Sequence, residues 1–394
     1  MDPPPSTSTP ARGARERPLR VLIAGAGIAA LEALLALRHL AGGRVTVDLI
    51  APTPDFVLRP FSIVEPFGAG SAPRLSLGSL LRDHQAGHLS DGLAAVEPER
   101  RAIRCTSGEE YGYEALIVAV GARPVEALPG ALGVPGPEWI ARFRELLGAL
   151  ERGDVRDVVF VVPDEPTWSL PLYELALLTA GWLFERRVAG VRLTLATPER
   201  APLAAFGHNA GDTVSDLLHG HGVDLRCSVA AQAVDEGALR LAGGETIAAD
   251  RVVALNRLAG PALPGLPADD EGFVPVDEHG RVAGVEHVYA AGDATTGPIK
   301  QGGLAAQQAD AVAESVAAWA GVGLRPSPFR PVLRGVLLTG TGPAYFRADS
   351  RPHHKSSVAR LSPLWWPPAK VAGRHLAPYL AARGIDVPQA ADPA

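Results

Sequence analysis

The residues with the clearest chemical potential form a glycine-rich turn near the start of the chain, between an apolar strand and an Ala/Leu-rich helix. Gly25 and Gly27 are one residue apart, and Ala30 takes the place of a third glycine. The first glycine permits a tight turn, and the second lets the backbone approach a pyrophosphate, whose charge the helix N-terminus favours. The spacing therefore predicts a dinucleotide-binding turn. Its members are Gly25, Ala26, Gly27, Ile28, Ala29 and Ala30.

The second strand departs from the dinucleotide pattern at its end. An acid that binds the adenosine ribose is expected there, but the residue is Ala51, with Asp48 in mid-strand and Asp55 on the next loop. The ribose hydroxyls must then be held by the backbone, by another residue or by water. A tight turn that binds no ligand is the alternative interpretation of the glycines.

Two later segments add to the pattern. An apolar strand that begins at Ala115 ends in small residues, which let the backbone pass close to a cofactor. A second segment joins a strand to a helix through a Gly-Asp pair. The residues of interest in the two segments are Val120, Gly121, Ala122, Gly292, Asp293, Lys300, Gln301, Gly302 and Gly303.

The three segments, in this order, resemble those of the two-dinucleotide-binding-domain flavoproteins. This superfamily includes the pyridine nucleotide-disulfide reductases, the type II NADH:quinone oxidoreductases and the sulfide:quinone oxidoreductases. The resemblance covers residues 20–325 and implies a noncovalent FAD. Asp293 would bind the ribityl chain, and the helix that starts near Gly302 would point its positive end at the flavin.

The same resemblance assigns two further groups to the flavin site. A loop that contains Arg59 and Pro60 would lie beneath the isoalloxazine ring, and Lys300 would add a positive charge beside it. The alternatives are ordinary loop packing for the first and a solvated loop lysine for the second.

The cysteines argue against thiol chemistry. The chain has two, Cys105 and Cys227, and none in residues 55–90, where the disulfide reductases carry their redox pair. The segments 158–180 and 331–347, which correspond to the cysteine-bearing parts of sulfide:quinone oxidoreductases, also contain none. Disulfide exchange and cysteine-based sulfide oxidation are both disfavoured, and each cysteine is expected to be a small buried hydrophobe.

The second half of the chain repeats the α/β pattern without its glycines. Residues 163–171 contain three prolines and two acids, which remove N–H donors and repel a diphosphate, so NAD(P)H binding is uncertain. Trp168 and Tyr173 are expected to face the substrate, although Trp168 could instead fill the space of an absent cofactor. Glu174 matches a glutamate that handles protons in type II NADH:quinone oxidoreductases; a solvent-facing helix carboxylate is the alternative.

These patterns predict an α/β protein with two Rossmann-like three-layer domains and a small C-terminal cap. Residues 19–150 and 251–325 would form the FAD domain, 151–250 a degenerate NAD(P)-type domain, 326–394 the cap, and 1–18 a disordered tail. Trp365 and Trp366 in the cap could meet a membrane surface, cover the flavin or form a dimer interface. The net charge of −6 and the absence of basic runs past Arg20 argue against nucleic acid.

The sequence therefore predicts an FAD-dependent oxidoreductase of the cytoplasm or of the inner face of the membrane, without a metal site. Electrons would pass through the flavin from a small-molecule donor to a quinone-like or other small acceptor. Glu174 and Lys300 are the candidate catalytic residues. One alternative is an NAD(P)H:quinone reductase with a glycine-free docking loop, and another is a flavin-binding redox sensor without turnover.

Overall fold

The computed structural model describes residues 17–163, 168–351 and 354–385. The expected tail therefore lies almost wholly outside the described residues, as do positions 164–167 of the proline-rich segment. The helices are α1 (Ile28–Ala41), α2 (Leu77–Asp83), α3 (Trp139–Arg152), α4 (Leu170–Glu185), α5 (His208–Gly220), α6 (Gly302–Trp319) and α7 (Leu376–Ala381).

The strands are numbered in chain order. Those before the fourth helix are β1 (Leu19–Ala24), β2 (Val45–Ile50), β3 (Asp55–Val57), β4 (Arg74–Ser76), β5 (Gly87–Leu89), β6 (Leu93–Glu97), β7 (Ala102–Cys105), β8 (Glu110–Gly112), β9 (Ala115–Val118), β10 (Arg123–Val125), β11 (Leu132–Val134) and β12 (Asp157–Val161). The others are β13 (Arg192–Ala196), β14 (Val223–Arg226), β15 (Ala231–Asp235), β16 (Ala238–Leu241), β17 (Thr246–Ala248), β18 (Arg251–Leu255), β19 (Arg257–Ala259), β20 (Val288–Ala290), β21 (Val332–Leu338), β22 (Pro343–Arg351) and β23 (His354–Arg360).

The first sheet is parallel and has the strand order β20-β9-β1-β2-β5. Its central strand β1 is buried except at Arg20, which is typical of a parallel strand covered on both faces. Helix α1 packs against α6 over this sheet, so most of its Ala and Leu side chains are buried all round. The predicted strand–turn–helix at residues 20–40 is confirmed.

The second sheet is also parallel, in the order β11-β18-β12-β13-β14. Its core includes α3 and α4 and the strand residues Phe160 and Leu195. Strand β11 pairs with β18, so this sheet recruits chain from before residue 151. The two parallel sheets confirm the predicted α/β class with Rossmann-like architecture, whereas the domain boundaries stay a prediction.

The C-terminal region begins with an antiparallel sheet in the order β21-β22-β23, which the sequence patterns did not predict. Leu333, Leu337 and Phe346 of this sheet belong to the core of the second domain. The chain then continues through residues 369–381, named here the C-terminal strap, whose Val371 and Leu376 pack into the core of the first domain. The C-terminal region thus ties the two parallel sheets together. Among the described helices, none has the length and apolarity needed to cross a bilayer.

Candidate cofactor and redox site

The glycine turn lies at the carboxyl edge of the first sheet, between β1 and α1. Gly25 has φ +116°, and a Cβ there would collide with the backbone carbonyl of Ala119 beyond β9. Gly27 is exposed, and a Cβ there would meet nothing within 4 Å. It caps α1 without a side-chain hydrogen bond, and the first turn of α1 carries no acid. The N–H donors at this helix start therefore remain open to a diphosphate, and the predicted turn fits FAD.

The Gly-Asp segment closes against the same helix. Gly292 has φ +78°, and a Cβ there would lie 3.0 Å from the Cβ of Ala29 and 3.4 Å from that of Ala305. Its N–H donates to Oε1 of Gln308 at 2.8 Å. A side chain at this position would push α1 and α6 apart, so the glycine permits their close approach beside the cofactor site.

Asp293 has the environment expected of a ligand for a hydroxyl group. Burial raises the pKa of its carboxyl group, and Lys300 only partly opposes this. Among the described residues, none donates a hydrogen bond to this carboxylate. The carboxylate is half-buried and lines the same cleft as Gly292, where a ribityl hydroxyl would donate to it. This observation supports the predicted role of Asp293.

Lys300 is held by the protein and is not a solvated loop lysine. Its Nζ donates to the carbonyl of Thr295 and lies 3.6 Å from the ring centroid of Phe273. Burial lowers its pKa, whereas the carboxylate of Asp293 raises it. The ammonium group lies in the same cleft wall as Gly292 and Asp293, so the structure is compatible with a charge near the flavin.

Helix α6 begins with backbone donors and a tightly packed first turn. Oε1 of Gln301 accepts from the N–H of Leu304 at 2.9 Å, and its Nε2 donates to the carbonyl of Arg334 at 3.0 Å. The Gln301 side chain is thus a helix cap. Its carbonyl accepts from the N–H of Ala305 at 2.9 Å, so a cofactor would use its backbone N–H. A Cβ on Gly302 would lie 2.7 Å from Ile28 and 3.3 Å from Val371 of the strap. Val371 of the strap therefore packs beside the first turn of α6.

The remaining predicted cofactor residues lie on two loops. Arg59 is exposed and Pro60 half-buried at the start of a 3-10 turn that also contains Phe61. Val120 is exposed beyond β9, followed by Gly121 with φ +76° and open space around it, and by Ala122. Their predicted contacts with FAD stay predictions.

Glu174 is fully buried on α4, so the solvent-facing alternative is wrong. Its Oε1 accepts from the N–H of Leu338 at 2.9 Å and is ion-paired with Nζ of Lys370. Burial raises the pKa of the Glu174 carboxyl group, and Lys370 opposes that shift. Lys370 also lies 5.9 Å from the ring centroid of Phe61, on the loop assigned to the flavin.

The sequence patterns did not identify Lys370 as a partner of Glu174. Its only signal was rarity, since lysine stands at three positions in the chain. The strap brings it to α4 from 196 residues away. A contact between residues so far apart in the chain produces no local sequence motif.

Tyr173 does not face the substrate, which corrects the prediction. The side chain is fully buried, and its hydroxyl donates to Oε2 of Glu199 at 2.8 Å. Burial and the nearby carboxylate raise its pKa far above the ordinary tyrosine range. On α4 the neighbouring positions 173 and 174 point to different sides, so only Glu174 reaches the junction with the strap.

Trp168 packs inside the protein. Its ring meets Phe206 edge to face with centroids 5.7 Å apart, and Phe206 in turn contacts Phe346 at 5.6 Å. The aromatic row joins the second domain to the C-terminal sheet. This matches the alternative in which Trp168 fills space at the edge of the second sheet.

The carboxyl edge of the second sheet also differs from that of a standard dinucleotide-binding sheet at the acid that follows β13. Glu199 follows β13, near where a ribose-binding acid would stand. Its carboxylate already accepts from Tyr173, from the hydroxyl of Thr197 at 3.2 Å and from the N–H of Ala204 at 3.1 Å. A cleft of about 180 Å³ remains at the ends of β12 and β18. It is lined by Ala127, Leu128, Val161, Pro163, Ala231, Ala254 and Arg257.

Neither cysteine is placed for redox work. Cys105 is buried on β7, and Cys227 is half-buried after β14. Burial raises the pKa of both thiols. The reactive thiolate is therefore scarce at neutral pH, as the sequence predicted.

The two-sheet fold and the three cofactor segments resemble those of FAD-dependent oxidoreductases. The family model for pyridine nucleotide-disulphide oxidoreductases matches residues 176–309. An NADH dehydrogenase-like protein of Mycobacterium tuberculosis is 28% identical over 299 residues, covering 70% of this chain and 72% of the relative. These matches confirm the resemblance to the pyridine nucleotide-disulfide oxidoreductase-like superfamily.

Two solved structures share the fold. The sulfide:quinone oxidoreductase of Aquifex aeolicus has a TM-score of 0.79 at 19% identity, and the match covers 87% of both chains. A ferredoxin reductase of Rhodopseudomonas palustris has a TM-score of 0.63 at 20% identity, covering 84% of this chain and 82% of the other. At these identities the likeness concerns the fold alone.

Proposed function

We propose that this flavoprotein takes two electrons from a small-molecule donor and passes them to a quinone-like acceptor, without a redox disulfide. The observation that carries the proposal is the buried pair of Glu174 and Lys370. The pair joins the second domain, the C-terminal strap and the loop of Phe61. A quinone becomes a quinol by gaining two electrons and two protons, so a quinone reductase needs an internal route for protons.

The residues around the pair suit that task. Burial raises the pKa of the Glu174 carboxyl group, so it gives up its proton less readily than an exposed acid and exchanges it when a neighbouring charge changes. The positive charge of Lys370 stabilises the ionised form of Glu174 in a buried site, so the carboxyl group can release a proton and bind it again. FAD, bound by the glycine turn and Asp293, would supply the electron chemistry.

The direct test compares wild type with Glu174→Gln, using Glu185→Gln as the control because Glu185 is an exposed acid on the same helix. The assay follows reduction of a short-chain ubiquinone analogue by photochemically reduced enzyme. We expect about a 100-fold slower reoxidation for Glu174→Gln, within the usual range for loss of a proton-transfer group. Reoxidation at the wild-type rate would reject the role of Glu174, and a wild type that ignores quinones would reject the acceptor.

NAD(P)H is the second candidate for the electron donor. The cleft at the ends of β12 and β18 lies where parallel α/β sheets bind dinucleotides, and Arg257 is the one charged residue among the described residues that line it. The relative from Mycobacterium tuberculosis bears an NADH dehydrogenase-like name. Both observations favour a docking mode that uses the cleft and does not need a glycine loop.

An anaerobic titration distinguishes the donors. NADH, NADPH and sulfide are added in turn while the visible absorption band of the flavin is followed. Rapid bleaching by NADH that weakens in Arg257→Ala would support the cleft. A flavin that only light can reduce would favour the redox sensor over either enzyme.

We also propose that the acceptor is reached at a membrane surface. Trp365 packs edge to face on Tyr345, but Trp366 is 88% exposed and Leu361 is 74% exposed. Large apolar side chains at the surface favour the membrane interface. Flotation with phosphatidylglycerol vesicles should retain wild type and lose the Leu361→Ser/Trp366→Ser double variant. Phe184→Ser, at another exposed apolar position, is the control.

A further inference from the structure

A buried carboxylate with no part in the proposed chemistry lies on α1. Glu32 is fully buried in a helix otherwise made of Ala and Leu around it. Its Oε1 accepts from the N–H of His375 at 2.6 Å, and its Oε2 accepts from the N–H of Leu376 at 2.7 Å. A Cβ on Gly373 would collide with Oε2. The strap backbone is therefore wrapped around this one side chain.

A second carboxyl group faces the first. Oxygens of Glu32 and Asp310 and a ring nitrogen of His375 all lie within 4.8 Å of one another. Oδ1 of Asp310 is buried and has no hydrogen-bond partner among the described residues. Two ionised carboxylates in such a site would repel each other, and the orphaned oxygen would remain unpaired. One proton shared by Glu32 and Asp310 would remove the repulsion and give Oδ1 of Asp310 a hydrogen bond.

The surrounding groups do not neutralise the pair. Arg374 on the strap is largely exposed and lies 3.7 Å from Glu314 of α6. The Nε2 of His375 lies 3.8 Å from Asp310, but burial and the ring of His39 lower its pKa to about 4, so the imidazole is neutral. Among the described elements, α1, α6 and the strap thus present no buried cation to the two acids.

We propose that Glu32 and Asp310 share one proton and are positioning residues, because this carboxyl pair holds the strap that brings Lys370 to Glu174. Lys370 stands five positions before His375 on the same strap. An anchor at Glu32 therefore fixes the path of the segment that reaches α4. The effect on turnover rests on the proposed function, whereas the anchoring of the strap does not.

The pair makes the strap sensitive to alkaline pH. Burial and the facing carboxylate raise the pKa of Asp310 to about 8, and burial raises that of Glu32. The folded protein binds this proton more tightly than the unfolded chain does. The free energy of unfolding therefore falls as the pH rises from the ordinary carboxyl pKa to about 8, and the pair is fully ionised above that.

Hydrogen exchange of the full-length, FAD-loaded protein tests the anchor without any turnover. The readout is the protection factor of the His375 and Leu376 amides and of α7, corrected for the intrinsic rate, at pH 6.5 and 9. For wild type we expect protection to fall at least about tenfold at the higher pH, equivalent to one pKa unit of lost interaction.

Two variants separate a shared proton from simple packing. Asp310→Asn imitates the protonated acid, since its amide donates to Glu32 at any pH, so protection should persist at pH 9. Glu32→Gln replaces one acceptor by a donor, so one strap amide should exchange rapidly at both pH values. Unchanged exchange in α3 shows that each variant is folded.

Three outcomes would overturn the proposal. Wild-type protection could be the same at both pH values, or Asp310→Asn could lose protection as wild type does. Protection could also disappear on dialysis against EDTA, which would mean that a cation and not a proton joins the pair. A protein that passes this test but fails to reduce quinones would leave the anchor standing and reject the proposed function.

Discussion

The carboxyl edges of the two parallel sheets share a topology but differ in the side chains that occupy them. At the first edge, Gly25, Gly27 and Gly292 keep side chains away and leave helix N–H groups open. At the second edge, Trp168 packs on Phe206, and the carboxylate of Glu199 is already hydrogen-bonded. Both sheets have the topology that places a nucleotide site at this edge. The side chains at the strand ends, and not the sheet, decide how each edge is occupied.

A further difference concerns how the strap treats the two regions. At the first region its Val371 packs beside Gly302, in the first turn of α6. At the second it delivers one charge, Lys370, to a buried acid. The strap therefore packs against the first region and supplies a positive charge to the second. The following variants test the two edges and the strap.

Gly25→Ala should weaken FAD binding at the carboxyl edge of the first sheet. The added Cβ collides with the carbonyl of Ala119 and needs a φ of +116°, which L side chains rarely adopt. We expect FAD affinity to fall at least about 100-fold, equivalent to roughly 2.7 kcal/mol. Reconstitution of the apoprotein, followed by flavin fluorescence, measures it.

Gly43→Ala is the matched control, because Gly43 has open space around it and no positive φ. It should bind FAD as wild type does. If Gly25→Ala also binds normally, the close approach of β1 and β9 is not required for the site.

Lys370→Met should show how strongly the strap depends on its charge. The substitution leaves Glu174 buried without its cation, which destabilises a protein by about 3–5 kcal/mol. The double variant with Glu174→Gln removes the orphaned charge and should regain most of the loss. Urea unfolding of wild type and of the two variants measures this, and equal stabilities for the two Lys370 variants would show that the pair is not coupled.

Tyr173→Phe should have the smallest effect and should act on stability alone. It removes the hydroxyl bond to Glu199 in a buried site, at a cost of about 1–2 kcal/mol. Flavin reduction by any donor should keep its wild-type rate constant, because the side chain does not face a cleft. A changed rate constant with unchanged stability would restore Tyr173 as a substrate contact.

The first sheet and its turn could be predicted from the sequence because their signals are local. The apolar strand, the glycine turn and the Ala/Leu-rich helix lie where the sequence predicted them. Gly25 marks the turn because its φ of +116° and its close approach to Ala119 exclude other residue types, whereas Gly27 has φ −85° and open space around it. The antiparallel sheet of the C-terminal region was missed, since its strands mix Arg and Gly with apolar residues and give no clean period.

The sequence by itself determined the α/β class, the open nucleotide edge and the lack of redox cysteines, because each depends on residue types at short spacing. Only the tertiary structure decided the state of the acids. Glu174 receives its cation from 196 positions away, and Glu32 receives its N–H donors from 343 and 344 positions away. The pKa of a carboxyl group depends on burial and on the groups that surround it, and those groups meet only when the strap is in place.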